Sequence, residues 1–309
     1  MEKKLTKYHY KAFGITFGSE FSIPEMVETD EEPEIVIRFG KTPSNLDDYS
    51  NSGVLFQSSS DRFLLRVENV ANYCLKHQNE VIIEPSSKGE DYEIRNFLLG
   101  PVIGAIMQQR NLFALHGSAL KIGDQGIILA GRSGIGKSTL TSALIYRGHQ
   151  YLSDDISALG FDSKGAPFLY PGYTGIKLWQ DAIKKLKING EKRMLVRQNL
   201  QKYRIEQSSA HSNDSLPLNV IFIFQVKNTP GIEISEIKGL NKFQAIKNNI
   251  YRSNYFKDKH HKEMHFRGIN RIIEKARIMK VERPQHPFQP DSLADLVLEE
   301  IRRNKAYAV

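Results

Sequence analysis

Eight consecutive residues, Gly131-Arg132-Ser133-Gly134-Ile135-Gly136-Lys137-Ser138, fit the pattern G-x-x-x-x-G-K-[ST]. In such a loop the glycines let the backbone wrap around phosphate oxygens, and the amides from Gly131 through Ser133, Gly134, Ile135 and Gly136 to Thr139 point at negative charge. Lys137 is placed to reach the outer phosphates, and the Ser138 hydroxyl to ligate magnesium. Further on, Ser153-Asp154-Asp155-Ile156 carries paired carboxylates. One of them can hold magnesium, and the other can accept a proton from an attacking hydroxyl. Upstream, His116 stands at the end of an apolar run, Phe113-Ala114-Leu115.

The flanking sequence supplies the elements that must position these groups. Gln125 to Ala130 reads as a turn entering a short apolar strand, and Leu140, Ala143 and Leu144 recur at helical spacing across Thr139–Arg147. Gln150 to Ser153 is a short strand that delivers the acidic pair, and Leu218 to Val226 is apolar enough to be buried on both faces of a sheet. Residues 1–90 are β-rich, with strands expected at Tyr8–Phe13, Glu34–Phe39, Phe63–Val67 and Val81–Glu84. Apolar residues from Tyr92 to Gln109 follow a helical period, and Pro101 is expected to split that helix. Gly190 to Ser215, polar with few apolar anchors, is expected to be a mobile loop over the site. Ser292 is expected to cap a C-terminal helix. The division that follows is a β-rich domain over 1–90 and a catalytic domain over 91–309.

With 309 residues, 40% hydrophobic and 25% charged, the chain has the composition of a globular protein with a sizeable core. Apolar stretches are too short to cross a bilayer, the basic N-terminus lacks the apolar run of a signal peptide, and Cys74 stands alone. These features point to a cytoplasmic protein without a membrane partner. The net charge of +8 is concentrated after residue 180, as suits an anionic ligand. No zinc spacing or nucleic-acid-binding signature accompanies it, which argues against nucleic acid. Tyr173 and Trp179 have two readings, as aromatics lining an acceptor groove or, more commonly, as aromatics that pack, and neither is counted among the site residues.

Leu115-His116-Gly117, the glycine loop, Arg147-Gly148-His149 and Asp154-Asp155 resemble, in order and interval, the C-terminal catalytic domain of bacterial HPr kinase/phosphorylase. The resemblance implies an α/β fold with a P-loop core of the HPr kinase and phosphoenolpyruvate carboxykinase type, beside a β-rich N-terminal region. It implies ATP and magnesium as cofactors and a serine hydroxyl on a small protein as acceptor. It makes Asp154 the general base, His116 its polar neighbour, Lys137 the phosphate ligand, and Ser138 and Asp155 the metal-site residues. Phe13 to Phe17 and Ser22 to Met26, with Pro171 to Trp179, are similar to HPr-kinase-like tailoring kinases of lasso peptide systems. That subgroup phosphorylates a serine at the C-terminus of a precursor peptide.

Lys177, Lys192, Arg193 and Arg197 are then candidate contacts for phosphate or an acceptor carboxylate. The family's glycine-rich segment after the acidic pair has no clear counterpart, so reverse phosphorylase chemistry is not expected. The expectation is a serine kinase acting on a peptide or small protein, and a homo-oligomer is compatible with it. A small-molecule kinase on the same core, and a nucleotide-gated binding protein without transfer, are the alternatives.

Overall fold

The structure, a computed structural model, describes residues 6–186, 193–196, 200–206, 208–227, 230–286 and 289–305. Its N-terminal part is a nine-stranded sheet running from Val27–Glu28 at one edge to Asn51–Ser52 at the other. The expected strands form as Tyr8–Ala12, Ile35–Phe39, Arg62–Val67 and Glu80–Pro85. Two further strands complete hairpins: Ile15–Ser19 against Tyr8–Ala12, and Ala71–Lys76 between Arg62–Val67 and Glu80–Pro85.

The helix expected to break at Pro101 instead continues through it. Asp91–Phe97 and Ile103–Gln109 are α-helical, and Leu98–Val102 between them is one π turn containing Pro101. Proline has no N–H to complete the ordinary ladder, and the wider turn absorbs that loss without ending the helix. Ile94, Leu98, Val102 and Ile106 from this stretch share one core with Phe17, Ile37 and Tyr73 of the N-terminal sheet.

The second sheet carries the glycine loop. Strands Gln125–Ala130, Leu216–Val226 and Arg277–Arg283 lie side by side in parallel, and their carboxyl ends emerge together at one edge. Such an edge is where parallel sheets habitually bind ligands. Strand pairing closes a circuit: Phe113–Ile122 bonds to Gln125–Ala130 and to Ile156–Phe161, and Pro167–Leu169 links the latter to Leu216–Val226.

Alternation along the central strand fixes its two faces. Val220, Phe222 and Phe224 enter a core with Leu140 and Leu144 of the helix after the glycine loop and with Leu293, Val297 and Ile301 near the C-terminus. Ile221 and Ile223 face the opposite way, onto Ile246, Ile269 and Ile272, which belong to helices Leu240–Lys247 and Lys259–Lys275. Each such side chain contributes on the order of 1.5–3 kcal/mol by leaving water.

Two expectations need correction here. The stretch expected to be a structureless loop contains strands Arg193–Leu195 and Lys202–Ile205, which join Ile176–Trp179 in a three-stranded sheet. Sparse apolar residues are enough because Ile205 packs with Ile176 and Leu178. The C-terminal helix runs Pro290–Lys305, so Ser292 lies inside its first turn. Pro290 takes the opening position, where a missing N–H costs nothing.

Candidate active site

Strand Gln125–Ala130 ends directly at the glycine loop, and helix Lys137–Tyr146 begins at its far side. Gly131 and Gly136 adopt φ of 142° and 101°, conformations that a side chain would strain. Gly136 is the residue at which the chain turns into the helix. Across the loop, the Arg283 guanidinium, itself buried, donates to the Ile135 carbonyl through Nε at 3.2 Å and Nη2 at 2.6 Å. Sequence reading did not single out Arg283. Its signal was its position at the end of an alternating apolar strand, where a buried charge requires a polar partner.

The acidic pair closes the site from the other side. Asp154, 7% exposed, accepts hydrogen bonds from Ser118 Oγ at 2.7 Å, Ser138 Oγ at 3.0 Å and the Lys177 backbone N–H at 2.9 Å. Asp155 has φ of 74°, a left-handed turn that breaks strand alternation and lets both carboxylates face the site. Its carboxylate lies 3.5 Å from Lys177 Nζ and 3.5 Å from His116 Nδ1. His116 and Ser118 share a face of strand Phe113–Ile122, two residues apart. That spacing is the signal that would have found Ser118.

The electrostatics follow from this crowding. Burial would raise the Asp155 carboxyl, but Lys177, His116, Lys202 and Lys137 together hold it well below the usual carboxylate range. Burial, reinforced by the Lys137 charge, pushes the His116 imidazole below its ordinary value, so it is neutral at pH 7. His116 Nδ1 lies 3.1 Å from the Asp155 carbonyl and Nε2 lies 3.5 Å from Lys137 Nζ. The network therefore assigns the proton to Nδ1 and leaves Nε2 facing the ammonium. Burial also lowers the Lys137 amine against the pull of Asp154 and Asp155, and the Lys177 amine against Asp155. The Lys137 ammonium donates to the carbonyls of Gly131 at 2.7 Å and Arg132 at 3.1 Å.

A cavity of about 290 Å³ joins these groups, its wall formed by His116, Ser133, Gly134, Gly136, Lys137, Ser138, Thr139, Asp155, Lys177, Trp179, Lys202 and Arg283 among others. Gly131 and Ile135 lie on the other flank of the loop. Asp154 sits behind the wall, against Ser138. Of the cationic candidates, Lys177 is in the site. Arg193 opens the outer strand of the three-stranded sheet, is exposed, and is not among the residues lining the cavity. Lys192 and Arg197 lie outside the described residues. Tyr173 packs against Phe13, ring centroids 4.7 Å apart, whereas Trp179 is 41% exposed. No group of three or more His, Cys, Asp or Glu side chains among the described residues forms a metal cluster. The Ser138 hydroxyl and Asp154 carboxylate are oxygen donors, a partial set that suits magnesium completed by phosphate and water.

Residues 108–164 match the family model of the HPr Serine kinase C-terminal domain. The matched stretch contains His116, the glycine loop, its helix and both aspartates. The HPr kinase/phosphorylases of Bordetella pertussis and Bordetella bronchiseptica are each 27% identical to this chain over 106 residues, which is 34% of this chain and 32% of theirs. The chain thus spans about a third of the length of the curated relatives it matches. A solved structure of the Hpr(Ser) kinase/phosphatase from Coxiella burnetii aligns with 63% of this chain and 93% of that one, at 18% identity and a TM-score of 0.35. No helix among the described residues is long and apolar enough to cross a membrane.

Proposed function

We propose that this protein is a magnesium-dependent kinase that moves the γ-phosphoryl group of ATP to a serine hydroxyl on a peptide or small protein. The observation that carries this reading is the placement of Ser138, Asp154, Asp155, His116 and Lys177 around the mouth of one glycine loop. When bound, ATP supplies the transferred group and magnesium neutralises its charge.

The chain's own residues then divide the work. The loop amides and Lys137 hold the phosphates. Ser138 and Asp154 present the oxygens that would hold magnesium. Asp155, kept ionised by Lys177 and oriented by His116, takes the proton as the serine oxygen bonds to phosphorus and the bond to the departing diphosphate breaks. A loose transition state asks little of a base beyond position, so a carboxylate of low basicity suffices. The hydrogen bonds favour this division over the one implied by resemblance, which gave the proton to Asp154 and the metal to Asp155. Asp154 already accepts from three donors, whereas Asp155 lies on the cavity wall.

The favoured acceptor is the C-terminal serine of a lasso-type precursor peptide. It is supported by the resemblance of the N-terminal and Pro171–Trp179 segments and by the Lys177 charge at the transfer end of the cavity, which suits a terminal carboxylate. The test is incubation with γ-labelled ATP, magnesium, and either a precursor peptide ending in serine or free serine. Label is expected on the peptide, with none in the Lys137→Ala variant. Label on free serine alone would establish a small-molecule kinase, and ATP binding without any transfer would leave only a nucleotide-gated binding protein.

A further inference from the structure

We infer that Trp179 is the platform on which the nucleotide base stacks, which fixes the end of the cavity where the nucleoside lies. The inference rests on the proposed ATP reading and extends it from the phosphates to the base. Lys177 and Trp179 are two residues apart on strand Ile176–Trp179, whose Ile176 and Leu178 are buried on the opposite face. They therefore share one side of the strand, about 7 Å apart along it, and both line the cavity. Lys177 is tied to Asp155, at the end where transfer takes place. A triphosphate whose reactive end meets Asp155 is long enough to carry its nucleoside outward as far as Trp179.

The surroundings of the indole fit that position. Trp179 and Thr139, from the first turn of the loop helix, both line the cavity. The ring is 41% exposed, while the aliphatic residues beside it in the strand are 1% exposed, so core packing does not account for it. Lys202, its partner across the strand pair, places Nζ 5.7 Å from the ring centroid. That ammonium covers one part of the indole and adds positive charge next to the phosphate path. An open aromatic face beside a phosphate cradle takes a nucleobase by stacking, a contact that every base can make.

The chain has a single tryptophan, so its fluorescence reports this position alone. ATP and inorganic tripolyphosphate are each titrated into the 309-residue chain, with calorimetry alongside. ATP is expected to quench the emission, and tripolyphosphate to bind without the same quench. Trp179→Ala is expected to weaken ATP about tenfold or more while leaving tripolyphosphate affinity unchanged, which also shows that the variant is folded. Trp179→Phe is expected to recover most of the loss. Equal weakening of both ligands, or unchanged ATP affinity in Trp179→Ala, would overturn the stacking role and leave the phosphate site standing. Failure of the wild-type protein to bind either ligand would overturn the kinase reading itself, and the platform with it.

Discussion

Asp154 and Asp155 are chemically identical neighbours, and their surroundings separate them. Two hydroxyls and a backbone amide donate to Asp154, while two cationic or polar side chains frame Asp155 at the longer distance of 3.5 Å. The division of labour proposed above predicts different losses. Asp155→Asn is expected to lower kcat by roughly 100-fold or more and to keep ATP affinity within about threefold. Asp154→Asn is expected to raise the magnesium concentration needed for half-maximal activity, because a neutral amide is a poorer ligand for a hard cation. Steady-state kinetics at varied magnesium separate the two. An unchanged magnesium dependence in Asp154→Asn, together with preserved turnover in Asp155→Asn, would return the base role to Asp154. In the proposed division His116 acts through its neighbours: its lowered pKa leaves it neutral at pH 7 beside Lys137, and it lies 3.5 Å from the Asp155 carboxylate.

At the scale of elements, the site is held by ties between segments distant in sequence. Arg283, at the end of one parallel strand, clasps the loop that follows another. Hydrogen bonds to a charged group are worth about 1.5–3 kcal/mol, so Arg283→Ala is expected to weaken ATP binding about tenfold, measured by calorimetry. Arg283→Lys is expected to recover little, since an ammonium cannot supply the two forked contacts to one carbonyl. Affinity unchanged in Arg283→Ala would show that the loop holds its shape unaided. The segment that delivers Lys177 is tied in the same manner from the N-terminal part: Phe13 N–H donates to the Pro171 carbonyl at 2.7 Å, and Thr174 N–H to the Glu25 carbonyl at 2.9 Å. Glu25 is fixed in turn by Arg95 at 3.1 Å, both largely buried.

For the whole molecule, these ties argue that the two sheets fold as one body. The helical stretch after residue 90 shares its core with the N-terminal strands, and Phe63 meets Tyr255 at 4.7 Å across the length of the chain. A fragment of residues 91–309 would expose that core to water. It is expected to show no cooperative thermal transition by circular dichroism, whereas the full chain melts cooperatively. A fragment that melts sharply and binds ATP would establish that residues 91–309 are an independent domain.

Which residues gather at the candidate site was largely legible in the sequence because the signals are local. A glycine loop needs particular residue types at adjacent positions, and the strand before it and the helix after it announce themselves by apolar period within a few residues. Strand composition likewise marked Tyr8–Ala12, Ile35–Phe39, Arg62–Val67 and Glu80–Pro85. The π turn at Pro101 and the strands within the region read as a loop were not legible, since both depend on neighbours that the chain supplies from elsewhere. The same holds for the site. Sequence spacing nominated His116, Lys137, Ser138 and the aspartate pair, but which carboxylate meets Ser138 and which meets His116 depends on one left-handed turn at Asp155. Ser118, Arg283 and Trp179 come from three separate strands that only the fold brings together. Local residue type governs what chemistry is available, and long-range packing governs which atoms come within bonding distance.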